Sequence, residues 1–423
     1  MTRPSGSVGF EPLSPSALVA PRQIEIDAET WSVSQRIVTE VRVEGESGLR
    51  RYAEQFDGLD PGAGLVIDAA ALAAAYEGLS ARDRGVLDRT AQRIETFARA
   101  QRDVVRDMEI PVPGGRAGHR VMPMQAAGCY APGGRFPLPS SVLMTVIPAK
   151  AAGVETVWVA SPRPSPVTLA AAYVAGADSL LAAGGAQAVA ALAFGVDPCP
   201  PCDIIVGPGN RYVTAAKQIV SSSVAIDMLA GPSELVIVAD RTADPEIVAA
   251  DLLAQAEHDP DAWPVLITTD AALVQRVVPA LERQLASLPT ADIARAALKN
   301  GGYVVVPERA QALELCDRLA AEHVELLLED ANSAARSLRC YGGLFVGSGS
   351  AEVFGDYGVG PNHVLPTAGT GRYRGGLSVL SFLSTRTWLK MDRPAAIAED
   401  AAHLARLEGL EAHARAADLR KGG

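Results

Sequence analysis

Six histidines are the scarce residues of this 423-residue chain that could bind a metal or move a proton near neutral pH. They are His119, His258, His323, His363, His403 and His413. Gln255 and His258 stand three positions apart, which places both side chains on one face of a helix. This pair is a candidate for holding one ion, although together with Asp259-Pro260 it also fits an ordinary helix stop.

Glu322 and His323 form a second candidate pair, a carboxyl next to an imidazole. On a helix, adjacent side chains point about 100° apart, so the two could not act as one bidentate ligand. They could instead flank a single substrate from two sides, one as the base and the other as its orienter. The dipeptide taken alone is weak support for a catalytic role.

A loop punctuated by glycine supplies more polar side chains. Asp356 lies within Gly355-Asp356-Tyr357-Gly358, and His363 ends the following segment Gly360-Pro361-Asn362-His363. Asp356 suits a hard metal ion with His363 as its partner, and a turn in which Asp356 bonds its own backbone explains the pattern equally well. Near the C-terminus, Glu408 and His413 stand five positions apart across a glycine, as solvated side chains commonly do.

Three glycine-containing loops follow short apolar runs and precede helical patterns, where open α/β sheets bind ligands. They span residues 130–134, 184–187 and 207–210. None has the form GxGxxG, and the near match at 369–374 carries arginine at the third glycine and follows no strand. The loops alone therefore do not establish dinucleotide binding.

The elements that must position these residues form two α/β blocks that meet near residue 236. Residues 26–108 show helical spacing, and from about residue 120 short apolar runs alternate with alanine-rich helical runs. This alternation predicts mostly parallel sheets flanked by helices. Within the second block, RAQALELCDRLAAEH predicts a helix that reaches His323. Residues 361–385 are loop-rich, and residues 393–421 are helical with a break at Gly409.

Composition narrows the class of protein. Hydrophobic residues make up 48% and charged residues 21%, as in a globular chain. The formal charge of −11 argues against nucleic-acid binding, and no stretch has the features of a secretory signal or a membrane span. Five cysteines without a framework favour reduced thiols in a cytoplasmic protein. Cys199-Pro-Pro-Cys202 lacks the second pair of a zinc site, which favours a proline-stiffened loop over a redox or zinc motif.

Taken in order, segments from about residue 25 to residue 420 resemble the histidinol dehydrogenase family. The resemblance rests on GCYAPGG, PSSVLMTVIPAKAAGV, GGAQAVAALAFG, IIVGPGNRYVTAAK, IDMLAGPSELVIVAD, LLAQAEHDPDA, AEHVEL, GDYGVGPNHVLPT and EGLEAHARA. Each motif alone is weak, whereas the full ordered set is highly specific. One departure is Ala321, where the family usually has proline.

The resemblance implies an enzyme that oxidises L-histidinol to L-histidine with Zn2+, one per subunit, and NAD+. The implied zinc ligands are Gln255, His258, Asp356 and His413. The implied catalytic pair is Glu322 and His323. Besides the zinc ligands and His323, the implied substrate contacts are Ser233, His363 and Glu408. The implied NAD+ contacts are Tyr130, Gln187 and Asn210.

The implied reaction removes four electrons through L-histidinal and therefore uses two NAD+. His323 would accept the alcohol proton, and Glu322 would activate water for attack on the intermediate aldehyde. The family is a homodimer in which the C-terminal histidine ligand reaches the other subunit's site, so His413 is expected to act in trans. No nucleic acid or membrane partner is expected.

The implied fold is two Rossmann-like α/β domains without a GxGxxG fingerprint, plus a helical N-terminal arm and a C-terminal tail. The expected arm is residues 1–25, and an NAD-contacting domain at 130–236 is inserted into a larger domain made of 26–129 and 237–375. Residues 376–423 form the expected helical tail.

A paralogous NAD-dependent dehydrogenase that acts on another alcohol, such as a sulfonated diol, is the alternative. This alternative is suggested by three arginines, Arg135, Arg372 and Arg374, because extra guanidinium groups near a pocket would recruit an anionic substrate. A non-catalytic relative is disfavoured because Glu322 and His323 are intact. A zinc hydrolase would leave the loops that carry the implied NAD+ contacts without a role.

Overall fold

The computed structural model describes residues 9–19, 22, 24–133 and 137–422. The predicted α/β fold class is confirmed, because helices cover two six-stranded sheets that are almost wholly parallel. A third sheet of three antiparallel strands joins the C-terminal tail to the body of the chain. Within the described residues, no helix has the length and apolar character that a membrane crossing requires.

The first sheet is buried on both faces, as the alanine-rich helical runs predict. Its strands, in spatial order, are Val66–Asp68, Ser179–Leu181, Thr156–Ala160, Ala126–Tyr130, Ile204–Val206 and Ala225–Ile226. The surrounding helices are Ala28–Glu44, Glu46–Tyr52 with the π-helical turn Ala53–Asp57, Ala69–Glu77, Ala81–Asp103, Pro139–Ala152, Pro166–Ala175, Gly185–Phe194 and Arg211–Val220. All five residues of Ala126–Tyr130 are buried, which is typical of a central parallel strand.

The second sheet is parallel throughout. Its strands, in spatial order, are Glu11–Pro12, Gly302–Val305, Trp263–Thr268, Glu234–Ala239, His323–Leu327 and Gly343–Val346. The helices of this half are Pro15–Leu18, Pro245–Ala256, Ala271–Leu285, Ala291–Leu298, Arg309–Leu319, Ala331–Ser337 and the short Glu352–Asp356. Two residues of the expected N-terminal arm are therefore part of the sheet, because Glu11 and Pro12 pair with Gly302 and Tyr303.

The tail begins as a strand that the sequence did not predict. Leu383–Met391 pairs with Gly115–Pro123, which in turn pairs with Met108–Val112. Short 3-10 turns at Thr370–Arg372 and Val379–Phe382 precede it. The helices Ala395–Leu407 and Glu411–Asp418 follow, and the predicted break lies between them at Gly409, whose φ is 77°.

Sheet membership differs from the expected domain boundaries. Val66–Asp68 was assigned to the larger discontinuous domain, and the expected boundary at 129/130 cuts Ala126–Tyr130, yet both strands hydrogen-bond within the first sheet. Glu234–Ala239 crosses the expected boundary at residue 236 and belongs wholly to the second sheet. Apolar runs of this kind indicate buried strands without indicating which sheet will bury them.

The helix predicted to reach His323 ends earlier, at Leu319, and this part of the prediction was wrong. Ala320 adopts the left-handed conformation, with φ 47° and ψ 48°, and terminates the helix. The chain then enters the strand His323–Leu327. Glu322 and His323 therefore stand at the amino end of a central strand and not on a helix.

Candidate active site

A cavity of about 900 Å³ lies between the carboxyl edge of the first sheet and the amino edge of the second. The loop after Ile204–Val206 lines one side, and residues that precede Glu234–Ala239 and His323–Leu327 line the other. Eight of the twelve predicted site residues line this cavity: Asn210, Ser233, Gln255, His258, Glu322, His323, Asp356 and His363. Residues distant in sequence thus converge on one concave site.

Asp356 lies at the centre of a cluster with the spacing of metal ligands. Its Oδ2 is 3.6 Å from Nε2 of His258, and its Oδ1 is 4.0 Å from Nε2 of His323. Tetrahedral zinc with bonds of about 2.0–2.2 Å holds ligand atoms about 3.4 Å apart, close to the first of these distances. Ligand atoms of His258, Asp356 and Glu352 all lie within 4.8 Å of one another. The cluster therefore fits a divalent metal better than it fits a direct hydrogen-bonded pair.

His258 and Gln255 reach the cluster from the end of one helix. Pro245–Ala256 ends just before His258, whose backbone N–H donates to the carbonyl oxygen of Gln255 at 3.3 Å. Gln255 is fully buried, whereas the His258 side chain is 45% exposed. The helix end and the shared ion site, which the sequence offered as alternatives, are therefore compatible. The turn that ends the helix directs His258 towards Asp356.

His323 is held as a neutral base. Its Nδ1 lies 3.0 Å from the carbonyl oxygen of Glu234, and because a carbonyl only accepts, Nδ1 carries the proton. Nε2 therefore keeps its lone pair, and it is buried without a hydrogen-bond partner among the described residues. Burial lowers the pKa of His323 to about 4, so the ring is neutral at pH 7.

His363 is fixed in the same way, with its Nδ1 3.9 Å from Oδ1 of Asp356. Its Nδ1 donates to the backbone carbonyl oxygen of Asp356 at 3.0 Å. Its Nε2 is consequently an acceptor. Burial also lowers the pKa of His363, which favours the neutral ring.

Glu322 is paired with a second buried glutamate. The backbone N–H of Glu234 donates to Glu322 Oε2 at 2.9 Å, and the N–H of Glu322 donates to Glu234 Oε2 at 3.3 Å. Arg22 donates to Glu234 Oε1 at 2.8 Å and balances one of the two charges. Burial raises the pKa of Glu322 well above its ordinary value, in the direction that suits a general base near neutral pH.

The sequence analysis missed two acidic residues, one that lines the cavity and one that lies behind it. Glu352 lines the cavity, and Glu325 lies behind it with Oε1 accepting the backbone N–H of Glu352 at 2.7 Å. Burial raises the pKa of Glu352 well above its ordinary value and that of Glu325 to about 8. Glu352 stands four residues before Asp356, a helical spacing that could have marked it, but Gly355 made the segment resemble a loop.

The three residues expected to contact NAD+ lie at the carboxyl edge of the first sheet. Asn210 lines the cavity and caps Arg211–Val220, with Oδ1 accepting from Tyr212 at 3.0 Å and Val213 at 3.2 Å. Tyr130 and Gln187 are buried and are not among the described residues that line it.

Both instead brace the loop at 184–187. The Tyr130 hydroxyl accepts from the N–H of Gly185 at 3.1 Å. Asp57, which the sequence analysis did not single out, accepts from the N–H of Gly184 at 2.9 Å and from Nε2 of Gln187 at 3.0 Å. A carboxylate from a distant part of the chain therefore occupies the N-terminal end of the helix Gly185–Phe194, a position that attracts anions.

A buried ion pair supports the loop that carries Asn210. Lys217 and Asp227 form a salt bridge with side chains only 3% and 1% exposed. Asp227 Oδ2 accepts the N–H of Gly207 at 2.7 Å, and Lys217 Nζ donates to the Gly207 carbonyl at 3.0 Å. The pair thus clamps both polar groups of one loop residue.

Asp227→Ala is expected to lower the free energy of unfolding by about 3–5 kcal/mol, because it leaves the buried Lys217 ammonium unpaired. Urea titration followed by tryptophan fluorescence measures the change. The double variant Lys217→Met/Asp227→Leu is the control and should recover most of the loss, since it removes both charges. A loss below about 1 kcal/mol for Asp227→Ala would contradict this assignment.

Glu408 and His413 lie on the tail, and neither is among the described residues that line the cavity. Glu408 ends the helix Ala395–Leu407, and His413 lies in Glu411–Asp418; both are exposed. Beside them, Leu407 is 71% exposed and Leu410 is 44% exposed. A tail with this much exposed apolar surface is typical of an interaction surface.

Three arginines suggested the alternative of an anionic substrate. Two of them lie away from the cavity described above, and the third lies outside the described residues. Arg372 lines a separate cavity together with Arg309 and Arg318. Arg374 donates to the backbone carbonyl of Asp227. Arg135 lies outside the described residues. Neither Arg372 nor Arg374 is among the described residues that line the cavity of the candidate active site.

The Cys199-Pro-Pro-Cys202 segment packs as a loop with both cysteines buried. Their sulfurs lie 3.6 and 3.8 Å from the carbonyl oxygen of Pro200. A hydrogen bond with Cys199, together with burial, raises the pKa of Cys202 well above its ordinary value. A thiol held neutral in this way is a poor metal ligand.

Comparisons with known proteins point to one family over most of the chain. The family model described as histidinol dehydrogenase matches residues 21–421. A histidinol dehydrogenase of Thermus thermophilus is 46% identical over 409 residues, which cover 96% of this chain and 98% of that protein. One of Rhizobium meliloti is 42% identical, with 94% and 93% covered. The crystal structure of the Elizabethkingia anophelis histidinol dehydrogenase superposes with a TM-score of 0.91 at 32% identity, covering 97% of this chain and 98% of that one. The chain therefore belongs to the histidinol dehydrogenase family.

Proposed function

We propose that the protein oxidises L-histidinol to L-histidine in two NAD+-linked steps, the last steps of histidine biosynthesis. The observation that carries the proposal is the single cavity in which Asp356 and His258 face the pair Glu322 and His323. A candidate metal cluster and a candidate proton-transfer pair thus share one space. Family membership gives the reaction class.

Gln255, His258 and Asp356 would hold the zinc ion, with His413 of the partner subunit as the fourth ligand. When bound, zinc would fix the imidazole and amine of the substrate and act chiefly as a template. Asp356 supplies a carboxylate, and His258 supplies an imidazole that stays partly open to solvent. A donor set of imidazole, carboxylate and amide suits zinc and requires none of the five cysteines.

His323 would take the alcohol proton in the first oxidation. Its Nε2 has a free lone pair and no competing donor among the described residues, while the Glu234 carbonyl fixes the ring through Nδ1. NAD+, when bound, accepts the hydride of each step. The neutral ring can accept a proton without first losing one.

Glu322 would serve the second half of the reaction, where water attacks the aldehyde. Its side chain lines the same cavity as His323, and its Oε2 lies 3.7 Å from Nδ1 of that ring. Burial has raised its pKa, which makes its carboxylate a stronger base than a solvated glutamate. Ser233 and His363 line the same cavity and would contact the substrate.

The NAD+ contacts would come from Asn210 directly and from Tyr130 and Gln187 at the neighbouring loop. Asn210 is exposed at the cavity wall, where a cofactor could reach it. Tyr130 and Gln187 brace or belong to the turn at 184–187, which lies at the carboxyl edge of the same sheet as Asn210.

The tail would complete the site of a second subunit. Glu408 and His413 stand on exposed helices beside exposed leucines, so a homodimer that buries this surface would bring both residues to the partner's cavity. Glu408 would then pair with the ammonium group of the substrate.

Mixing two inactive variants tests the trans arrangement. His258→Ala damages the cavity and His413→Ala damages the tail, so a hybrid dimer would carry one intact site if the tail acts in trans. Random re-association after mild denaturation should restore about one quarter of wild-type activity. Each variant alone, treated identically, is the control. No recovery in the mixture, with hybrids verified by mass, would show that His413 acts within its own subunit.

The proposed reaction is tested by its stoichiometry. With zinc-loaded protein, limiting L-histidinol and excess NAD+, we expect two NADH per histidinol and L-histidine as the final product. Parallel assays use a sulfonated diol, which represents the anionic alternative. Activity on the sulfonated diol and none on histidinol would show that histidinol is not the substrate. Arg372 and Arg374, which suggested an anionic substrate, are not among the residues that line the cavity.

A further inference from the structure

The side-chain amide of Gln255 is buried, and its hydrogen-bond partners determine where its oxygen and its nitrogen lie. In the orientation that satisfies its surroundings, the amide nitrogen donates to Glu352 Oε1 at 3.1 Å and to the Glu234 carbonyl oxygen at 3.3 Å. The reversed orientation sets the amide oxygen against these same acceptors. With the nitrogen held there, the oxygen is the atom left for the cavity that Gln255 lines.

The orientation matters because only one end of the amide can serve a cation. A glutamine oxygen has lone pairs to offer, whereas its NH2 group only donates hydrogen bonds. The two ends are nearly equal in size, so packing alone distinguishes them poorly and hydrogen-bond partners decide. The Glu234 carbonyl also accepts from His323, which leaves Glu352 as the side chain that engages Gln255 specifically.

Glu352 is itself rigidly placed. Its backbone N–H donates to Glu325 Oε1 at 2.7 Å, and its side chain is only 3% exposed. One helical turn later the same short helix carries Asp356. The second oxygen of Glu352 is buried and has no hydrogen-bond partner among the described residues. Oε1 of Glu352 is therefore the oxygen that engages Gln255, and the buried side chain has little freedom to turn away from it.

We propose that Glu352 is a positioning residue that sets the Gln255 amide so that its oxygen faces the metal. This inference rests on the proposed zinc site. Without Glu352 the amide can turn and present NH2 in place of a ligand oxygen. Glu352 thus acts through Gln255 and needs no bond of its own to the ion.

Zinc affinity is the direct readout, measured on metal-free protein by competition with a chromogenic chelator. Glu352→Ala should weaken zinc binding by about 10- to 100-fold, the range for lost support of a ligand. Glu352→Gln should stay within about threefold of wild type, because its amide oxygen still accepts from Gln255. In a Gln255→Ala background, Glu352→Ala should add less than about twofold, because the ligand through which it acts is gone.

Controls separate this role from a general structural one. Glu329→Ala removes an exposed glutamate and should leave zinc affinity unchanged. Thermal unfolding of the metal-free forms shows whether each variant folds, and Glu352→Met, which fills similar volume without an acceptor, replaces the alanine variant if that fails.

Three results would overturn the inference. Zinc affinity equal to wild type in Glu352→Ala or Glu352→Met would show that Glu352 orients nothing. An equal loss in Glu352→Gln would make Glu352 a ligand in its own right, and a full effect in the Gln255→Ala background would show that it does not act through Gln255. Failure of the wild-type protein to bind zinc would instead overturn the proposed metal site, together with this inference.

Discussion

His323→Asn is expected to lower kcat for histidinol oxidation by about 10²- to 10⁴-fold, the range for losing a general base. Asparagine can still donate to the Glu234 carbonyl that now holds Nδ1 of His323 at 3.0 Å, so the local fold should survive. It has no counterpart of the unpaired Nε2, which is the atom placed to take the alcohol proton. Steady-state NADH formation at saturating substrate measures the effect.

Two binding properties of the His323→Asn variant serve as its control. Zinc content and the KM for NAD+ should stay near wild type, because His323 belongs to neither proposed contact set. A variant that retains more than about one third of wild-type kcat would refute the role of His323 as base.

Removal of the metal is expected to abolish NADH formation, and one zinc per subunit should restore it. His258→Ala should prevent that restoration at stoichiometric zinc, with activity lower by at least about 10³-fold, since a metal template supplies several kcal/mol. The reason is geometric, because the variant leaves Asp356 without the nitrogen that lies 3.6 Å from its Oδ2. Metal analysis and the NADH assay on the same samples measure both effects.

His119→Gln is the matched control, because it replaces a histidine that lies in the antiparallel sheet and not among the described lining residues. Glutamine can still bond the Arg106 carbonyl that now lies 3.1 Å from His119 Nε2. Full activity of metal-stripped wild type in a zinc-free assay would exclude a metal-dependent reaction.

The sequence predicted the residues of the cavity better than the path that brings them there. Gln255 and His258 could be paired by helical spacing, and the strand-loop-helix pattern correctly placed Asn210 at a sheet edge. Glu322 and His323 were assigned to a helix because its end is marked by Ala320 in a left-handed conformation, where glycine is the usual signal.

Local sequence patterns did not predict several contacts and elements of the structure. Asp57 holds Gly184 and Gln187 from more than a hundred residues away, and no local spacing relates them. Glu352 stands at helical spacing from Asp356, but their helix has only five residues and contains Gly355, so the segment resembles a loop. The tail strand Leu383–Met391 has mostly polar and exposed residues, so its pairing with Gly115–Pro123 left little hydrophobic alternation to detect.

The pairing of Glu11–Pro12 with Gly302 and Tyr303 has a consequence for synthesis on the ribosome. The first strand emerges roughly 290 residues before its partner, a delay on the order of tens of seconds. During that time it has no edge to join, and its two-residue length and proline make it a poor template for pairing with other nascent chains. When Gly302–Val305 finally forms, its outer edge is closed by a segment that has been present from the start. A bulky fusion placed on this arm would leave that edge open and invite aggregation.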